Sequence, residues 1–240
     1  MSTATRKAKE WQSREDLFVQ VALTLIDSSG FNALSLDKIA SHADYSRGTV
    51  YNHFESREDL ILELGLRALA EQTHWLQHAC GFPGSNREKV LTMHLAYQVF
   101  ASHKPVLFQS LVSAKAPPVL SRASADRLAR KQELEAAITA IVDALIAKAI
   151  ELGELKLAPH MPAFSVSFGN WALGLGLAML RLGAPQSPSV ARVPESEMVM
   201  LMLISALLDG LGWARDEPSV SPPALYARLN AHLAPLITKS

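Results

Sequence analysis

The stretch of residues 35–60 constrains the fold of this 240-residue chain more than any other feature. It opens with apolar residues at the spacing of one helix face, namely Leu36, Ile39 and Ala40. Ser35 precedes them as an N-cap, and Asp37 places a negative charge at the positive end of a helix. The pattern therefore predicts a short amphipathic helix over residues 36–43.

A second short helix is expected directly after a tight turn. Asp44 tolerates the left-handed backbone conformation that a sharp turn between helices often needs, so the first helix is expected to end there. Ser46 can cap the next helix, which runs from about Arg47 to Phe54. The two elements together predict a helix-turn-helix unit.

The second helix separates a core side from an exposed side. Val50 and Phe54 lie four residues apart, so they share the side that packs on the first helix. Gly48 and Asn52 point the opposite way. A glycine within a helix costs about 1 kcal/mol relative to alanine, so close approach to another surface is its natural explanation. The flanking edges carry Arg47 with Tyr51 and Thr49 with His53.

This arrangement is typical of a helix that enters the DNA major groove by its N-terminal turn. Such a helix needs a basic fork in its first turn for base edges, with hydroxyls and an imidazole for flanking phosphates. Arg47 is placed to read a base. The alternative, which the pattern leaves open, is an ordinary polar surface in which Tyr51 and His53 are half-buried for packing.

The motif resembles the N-terminal DNA-binding domain of the TetR family of repressors over about residues 12–62. The matching run is Leu36-x-x-Ile39-Ala40-x-x-Ala43-x-x-Ser46-x-Gly48-Thr49-Val50-Tyr51-x-His53-Phe54-x-Ser56-Arg57-Glu58-x-Leu60. The resemblance implies an all-α protein with a three-helix DNA-binding domain, residues 1–62, and a helical bundle, residues 63–240, that binds an effector and dimerises. It further implies a dimer that a small ligand releases from a palindromic operator.

The resemblance also assigns roles to residues. Arg47, Thr49 and Asn52 match base-facing positions, and Tyr51, His53 and Arg57 match phosphate contacts. The predicted DNA-contacting set also includes Ser35, Ser46 and Gly48. This chain departs from the usual family pattern at Asp44 and Tyr45, where a glycine and a small aliphatic residue are usual.

The flanking residues predict one helix on each side of the motif. Upstream, Ser13-x-x-Asp16 resembles a capping box, and an apolar stripe continues from Phe18 to a helix stop at Ser28-Ser29-Gly30. Downstream, a connecting helix is expected from Ser56 to about Ala79. The predicted domain is therefore three helices and a connecting fourth.

Charge gives little support to non-specific nucleic-acid binding. Lys and Arg number 23, Asp and Glu also number 23, and the formal net charge is +0. A broad basic footprint is therefore missing. The one basic cluster is Arg6-Lys7-Ala8-Lys9, followed by Arg14. Two interpretations stay open for it: an arm that reaches phosphate, or a solvated terminus.

The remaining chain predicts helix after helix with no alternating strand pattern. The expected helices cover residues 86–102, 105–114, 121–152, 162–182, 195–214 and 223–237, with a break at Pro117-Pro118 and a loop over residues 183–188. Residues 157–180 lack charged side chains, but prolines and polar residues interrupt them, so a buried helix is favoured over a membrane span. With one cysteine, Cys80, and no apolar signal core, a soluble cytoplasmic protein is expected.

Two apolar helices, residues 162–182 and 195–214, are the expected dimer interface. The second is apolar on nearly every side, so it must be buried on both faces. In the resembling family the last two long helices form a four-helix dimer interface. The alternative is that both helices lie inside a monomeric core.

An effector site is predicted from large side chains on helices that surround the pocket in the resembling family. They are Trp75, Met93, Tyr97, Phe100, Phe108 and Trp171, each of which could instead belong to the core. Charged residues are sparse on these helices, which favours an apolar or aromatic effector. His74, His78 and Cys80 lack an evident further metal ligand.

Enzymatic activity is not expected, because the sequence contains no nucleophile elbow, P-loop or dinucleotide fingerprint. Neither a metal nor a cofactor is predicted. The alternative function is a helical ligand-binding or interaction protein that uses the helix-turn-helix as scaffold only.

Overall fold

The computed structural model describes residues 3–183, 186–191, 197–215 and 221–238. Within these ranges the protein is all-α, and the only β-type pairing is an isolated antiparallel bridge between Leu155 and Trp213. The predicted fold class is confirmed. Within the same ranges, no helix is both long enough and apolar enough to cross a membrane.

The helices follow one another along the described parts of the chain. They are α1 (Thr3–Ser29), α2 (Leu36–Ala43), α3 (Arg47–His53), α4 (Arg57–Cys80), α5 (Asn86–His103), α6 (Pro105–Ser113), α7 (Pro117–Leu120), α8 (Ala125–Glu151), α9 (Phe164–Gly183), α10 (Pro188–Ala191), α11 (Glu197–Gly210) and α12 (Pro222–Ile237). A single 3₁₀ turn, Phe31–Ala33, lies between α1 and α2.

The chain forms two compact units. Unit 1 comprises Met1–Ala70 and Val106–Leu134, and unit 2 comprises Glu71–Pro105 and Glu135–Ser240. Unit 1 thus contains the predicted DNA-binding domain and adds α6, α7 and the start of α8. These units describe packing, and the functional division between residues 62 and 63 stays a prediction.

The core of unit 1 forms from the apolar stripes that the sequence predicts. Phe18, Ile39, Val50 and Phe54 are all fully buried in one cluster. The α1 stripe ends at Gly30, whose φ of 73° is a conformation that only glycine adopts freely. Burial of these faces fixes how α1, α2 and α3 pack.

Two predictions for unit 1 are wrong. Helix α1 begins at Thr3 rather than near Ser13, because its early turns are supported by an Arg6–Glu10 pair four residues apart and by a ring contact of Trp11. The second is the start of the long helix, which was expected near Ser121. Pro117 and Pro118 do lie at the predicted break, after α6 ends at Ser113. They begin α7, where proline is tolerated because the first helical N–H groups lack partners anyway, and the next long helix starts at Ala125.

Helix α5 is the centre of unit 2. It is buried along most of its length and contacts α9, α11 and α12. The predicted helices over residues 162–182 and 195–214 correspond to α9 and to α11, which ends at Gly210. Residues 195 and 196, with Ala184 and Pro185 of the predicted loop, lie outside the described residues.

Candidate DNA-contacting surface and effector domain

Local hydrogen bonds set the geometry of the helix-turn-helix. Ser35 Oγ accepts the amide of Lys38 at 3.3 Å, and Ser46 Oγ accepts the amide of Thr49 at 3.1 Å. Asp44 has φ 57° and ψ 44°, the left-handed conformation that ends α2. Both predicted caps and the predicted turn conformation are confirmed. Residues of the turn itself therefore determine its conformation and the orientation of α3.

The outward side of α3 presents polar groups with few internal partners. Arg47, Gly48, Tyr51 and Asn52 are exposed, and Thr49 is half-buried; we name these five residues the recognition surface. Among the described residues Arg47 forms an ion pair with Asp37, at 3.3 Å, and its side chain is 74% exposed. A Cβ at Gly48 would meet only Ser46 Oγ, at 3.9 Å. Packing within the described residues therefore gives no reason for a glycine at position 48.

His53 is buried, whereas residue spacing placed it with Thr49 on a flanking edge of α3. The residue is 4% exposed, and its ring stacks on Trp11 with 3.7 Å between ring centroids. Neither ring nitrogen has a hydrogen-bond partner within the described residues, and Nδ1 lies 3.5 Å from Glu15 Oε2. Burial, with the nearby charges of Arg14 and Arg127, lowers the pKa of His53 to about 4. In this conformation the imidazole is a neutral packing group, because the longer α1 covers it.

Arg57 is largely occupied inside unit 1. Its Nε donates to the carbonyl of Leu34 at 2.9 Å, and its Nη2 donates to the carbonyl of Phe31 at 2.7 Å. These bonds satisfy backbone oxygens of the segment between α1 and α2. Arg57 therefore links the start of α4 to the segment between α1 and α2.

A buried ion cluster underlies the recognition surface. Arg127 Nη1 donates to Asp59 at 2.6 Å, Nε to Glu63 at 3.0 Å, and Nη2 to Glu15 at 3.1 Å. Nη2 also donates to the carbonyl of His53, at the C-terminal end of α3, at 3.1 Å. The ion cluster consists of Arg127 with its three carboxylates and the further Glu63 partners Arg67 and Arg130. It ties α1, α3, α4 and α8 together.

Only a weak signal in the sequence points to this cluster, and no prediction was made from it. Asp59 and Glu63 lie four residues apart on a predicted helix, and both side chains are fully buried. Buried carboxylates need cationic partners. The sequence could have shown that a cation was needed, but not that it comes from Arg127.

The predicted effector residues do not form one group. Trp75, Met93, Tyr97 and Phe100 are buried in unit 2, where the rings of Trp75 and Phe100 lie 6.0 Å apart. Phe108 is fully buried but belongs to unit 1. Trp171 is 46% exposed on α9. The structure therefore brings four of the six into the same unit's core.

Polar side chains between α5 and α9 accompany that apolar core. His94 Nε2 lies 2.7 Å from Asn170 Oδ1, and Gln98 Nε2 donates to the carbonyl of Gly174 at 2.8 Å. Burial lowers the pKa of His94 and raises that of Tyr97 to about 12. Both His94 and Tyr97 are therefore neutral hydrogen-bonding groups at physiological pH.

Helices α9 and α11 leave large apolar side chains uncovered. We name this set the uncovered face: Phe164, Phe168, Trp171, Met179 and Leu180 on α9, with Met202 and Leu203 on α11. Phe168 is 61% exposed, and α9 and α11 contact each other. Exposed apolar side chains of this size on two contacting helices are a candidate interaction site.

Comparison with known proteins matches this geometry to a family. Residues 18–64 match the model of bacterial regulatory proteins of the tetR family. The chain is 22% identical over 205 residues to an uncharacterised HTH-type transcriptional regulator of Mycobacterium bovis, covering 84% of this chain and 89% of the relative. Residues 18–64 of this chain are therefore similar to helix-turn-helix transcriptional regulators of the tetR family.

The TetR-family fold extends over most of the chain. The ketosteroid transcriptional regulator KstR2 of Mycobacterium tuberculosis superposes with a TM-score of 0.58 at 17% identity, covering 84% of this chain and 96% of KstR2. The regulator FadR of Bacillus subtilis, solved in complex with stearoyl-CoA, gives a TM-score of 0.58 at 15% identity, covering 82% of this chain and 96% of FadR. At these identities the likeness establishes the fold alone.

Proposed function

We propose that this protein is a TetR-family regulator, a dimeric repressor that binds a palindromic operator and is released by a small, apolar or aromatic effector. Residues 1–62 read the DNA, and residues 63–240 bind the effector and dimerise. The cytoplasm, where bacterial DNA is accessible, is the expected compartment. The observation that carries the proposal is the recognition surface, whose exposed polar groups have few partners inside the protein.

Each residue of the recognition surface has a proposed role. Arg47, Thr49 and Asn52 contact base edges, with Arg47 able to donate two bonds to guanine. Tyr51 contacts phosphate. Gly48 lets the helix backbone approach the groove closely, and the capping residues Ser35 and Ser46 lie at the helix N-termini that face the DNA backbone.

The uncovered face supports the homodimer. A second copy of the same face would cover its aromatic and aliphatic side chains around a two-fold axis. Phe168→Glu should produce a monomer in sedimentation velocity, whereas Leu17→Glu, at an exposed apolar residue of α1, should leave the dimer intact. A Phe168→Glu protein that sediments as a dimer at micromolar concentration contradicts the proposed interface.

The apolar core of unit 2 supports an apolar or aromatic effector. FadR was solved with an acyl-CoA and KstR2 is named as a ketosteroid regulator, and both ligand classes have large apolar parts. An effector that binds the DNA-free state more tightly must weaken operator binding by the same factor, about 5- to 150-fold for a coupling of roughly 1–3 kcal/mol. Small aromatics and acyl compounds are screened by thermal shift, and each hit is added to an operator titration. Hits that all leave operator affinity unchanged contradict effector release.

DNA binding itself separates the proposal from its rival, a helical ligand-binding protein that retains the helix-turn-helix as scaffold. Fluorescence anisotropy with duplexes from the gene's own upstream DNA should show saturable binding that competitor DNA does not abolish, with an affinity that falls steeply as salt rises. Affinity that is the same for every sequence favours the rival.

A further inference from the structure

The first turns of α1 carry cations, and the turn that follows them reaches the C-terminal end of α3 through Trp11. Helix α1 begins at Thr3, and the side chains over residues 3–13 are exposed. Lys7, Lys9 and Arg14 lie in or beside this segment. Because this segment is helical, each basic residue lies on a fixed side of α1.

Helical spacing divides these cations between two sides of α1. At about 100° per residue, Lys7 lies on the same side as Trp11, four residues on, and Arg14 follows three residues later. Lys9 is about 200° away from Lys7, so it points to the opposite side. Trp11 marks the side that faces α3, because its ring stacks on His53, the last residue of that helix.

Arg14 lies beside Trp11, near the C-terminal end of α3. Its guanidinium lies 5.9 Å from the centre of the Trp11 ring, and its Nε is buried without a hydrogen-bond partner in the described part of the chain. The low pKa of His53 arises from burial first and from the charge of Arg14 second, which places that charge close to the end of α3.

The cations expected to contact phosphate at this end of α3 are engaged elsewhere. The ring of His53 is buried, and the guanidinium of Arg57 donates to the carbonyls of Phe31 and Leu34. A chain with a formal net charge of +0 cannot rely on a general attraction to DNA. Cations that neutralise phosphates must therefore come from specific positions.

We propose that Lys7 and Arg14 contact operator phosphates beside the C-terminal end of α3, so that the start of α1 is a second DNA-contacting surface. The proposal rests on the proposed function as an operator-binding protein. Lys7 lies about 6 Å along the helix axis beyond Trp11, so its flexible side chain extends past the ring stack. Phosphate contacts position the protein on the duplex and carry no sequence information.

The test compares Lys7→Gln with Lys9→Gln in the full-length protein. Both substitutions remove one charge from an exposed position of the same helix, and only position 7 faces α3. The probe is a duplex that the wild-type protein selects from a randomised library, with a shuffled duplex beside it. Anisotropy titrations over a series of KCl concentrations give the salt dependence of each affinity.

Lys7→Gln should weaken both duplexes by the same factor and reduce the slope of log affinity against log salt by about two for a dimer, at about 0.9 per phosphate contact. Arg14→Gln should act in the same direction, and Lys9→Gln should match the wild type. Equal slopes for Lys7→Gln and Lys9→Gln, with normal wild-type binding, overturn the α1 contact alone. A wild-type protein that selects no duplex overturns the proposed function, and this contact with it.

Discussion

The recognition surface and the ion cluster lie in the same compact unit but have opposite physical characters. Side chains of the recognition surface are mostly exposed, and Arg47 makes one ion contact, at 3.3 Å. In the ion cluster, Arg127 makes four hydrogen bonds to groups from three other helices, and the side chains of Asp59 and Glu63 are fully buried. Exposed side chains of the recognition surface keep hydrogen-bonding capacity for the proposed external partner, whereas Arg127 uses four of its five N–H donors inside the protein. The difference predicts which substitutions change affinity and which change stability.

The largest effect is expected at Arg127. Arg127→Met should lower the free energy of unfolding of unit 1 by about 3–5 kcal/mol, because it leaves buried carboxylates without their main cation. Arg130→Met is the matched control: Arg130 also contacts Glu63, but its side chain is 48% exposed, so the cost should be about 0–1 kcal/mol. Chemical denaturation followed by circular dichroism measures both. If Arg127→Met lowers the free energy of unfolding by no more than the roughly 0–1 kcal/mol expected of Arg130→Met, the cluster contributes no more than a surface ion pair.

A smaller loss of stability is expected at Arg57. Arg57→Ala removes two hydrogen bonds from a charged donor to backbone carbonyls, so it should lower the free energy of unfolding by about 1–3 kcal/mol. Arg47→Ala should change stability by less than about 0.5 kcal/mol, because Arg47 is a surface residue. If Arg57→Ala is as stable as the wild type, Arg57 belongs with the recognition surface rather than with the residues that hold the unit together.

Gly48 should give effects of opposite sign on stability and on binding. Gly48→Ala should raise the free energy of unfolding by roughly 0.5–1 kcal/mol, since alanine favours a helix and the added Cβ meets no close neighbour within unit 1. Operator affinity should fall, because the methyl group occupies the space through which α3 approaches DNA. Denaturation and anisotropy on the same preparation test both effects. A Gly48→Ala protein of unchanged affinity contradicts close approach at this position.

A different kind of effect, on the pH dependence of stability, is expected at His53. Its pKa is lowered to about 4 in the folded state from 6.5, so between these values the unfolded chain binds more protons. Stability from this group is therefore complete above about pH 6.5 and is lost as pH falls towards 4. His53→Phe keeps an aromatic ring against Trp11 and removes the titration.

The loss of stability between pH 6.5 and 4 should be shallower in His53→Phe than in the wild type. Glu15, whose pKa is raised by burial and then by Glu63, titrates in both proteins, so the difference between the two curves isolates His53. Thermal melting at a series of pH values gives the curves. Parallel curves show that His53 does not titrate in this range.

The sequence predicts the parts of the fold that depend on local chemistry. Ser35 and Ser46 accept amides three residues on at the starts of α2 and α3, and Asp44 ends α2 in a left-handed conformation, with its own amide donating to the carbonyl of Ala40. Asp44 provided the left-handed conformation that glycine usually provides, so this departure from the family pattern was predictable in structural terms. Residue spacing also predicts the core side of α3 at Val50 and Phe54.

What the sequence does not predict depends on partners far along the chain. Arg127 lies 112 residues from Glu15 and 68 from Asp59, so no local pattern connects them. The burial of His53 was likewise missed because Trp11 reaches it only when α1 begins ten residues earlier than its capping-box-like motif indicates. The exposure of Trp171 depends on which sides of α9 are covered by α5 and α11, which the evenly apolar sequence of α9 does not specify.

The central claim is that the exposed side of α3 reads a DNA sequence, and base preference tests it most directly. Wild-type protein and Arg47→Ala each select duplexes from the same randomised library, and the enriched sequences are compared. The account predicts that the wild type enriches a palindrome and that Arg47→Ala loses preference at one base pair in each half-site, at a cost of about 1–3 kcal/mol in affinity. Identical enriched sequences for the two proteins, or no enrichment by the wild type, would contradict it.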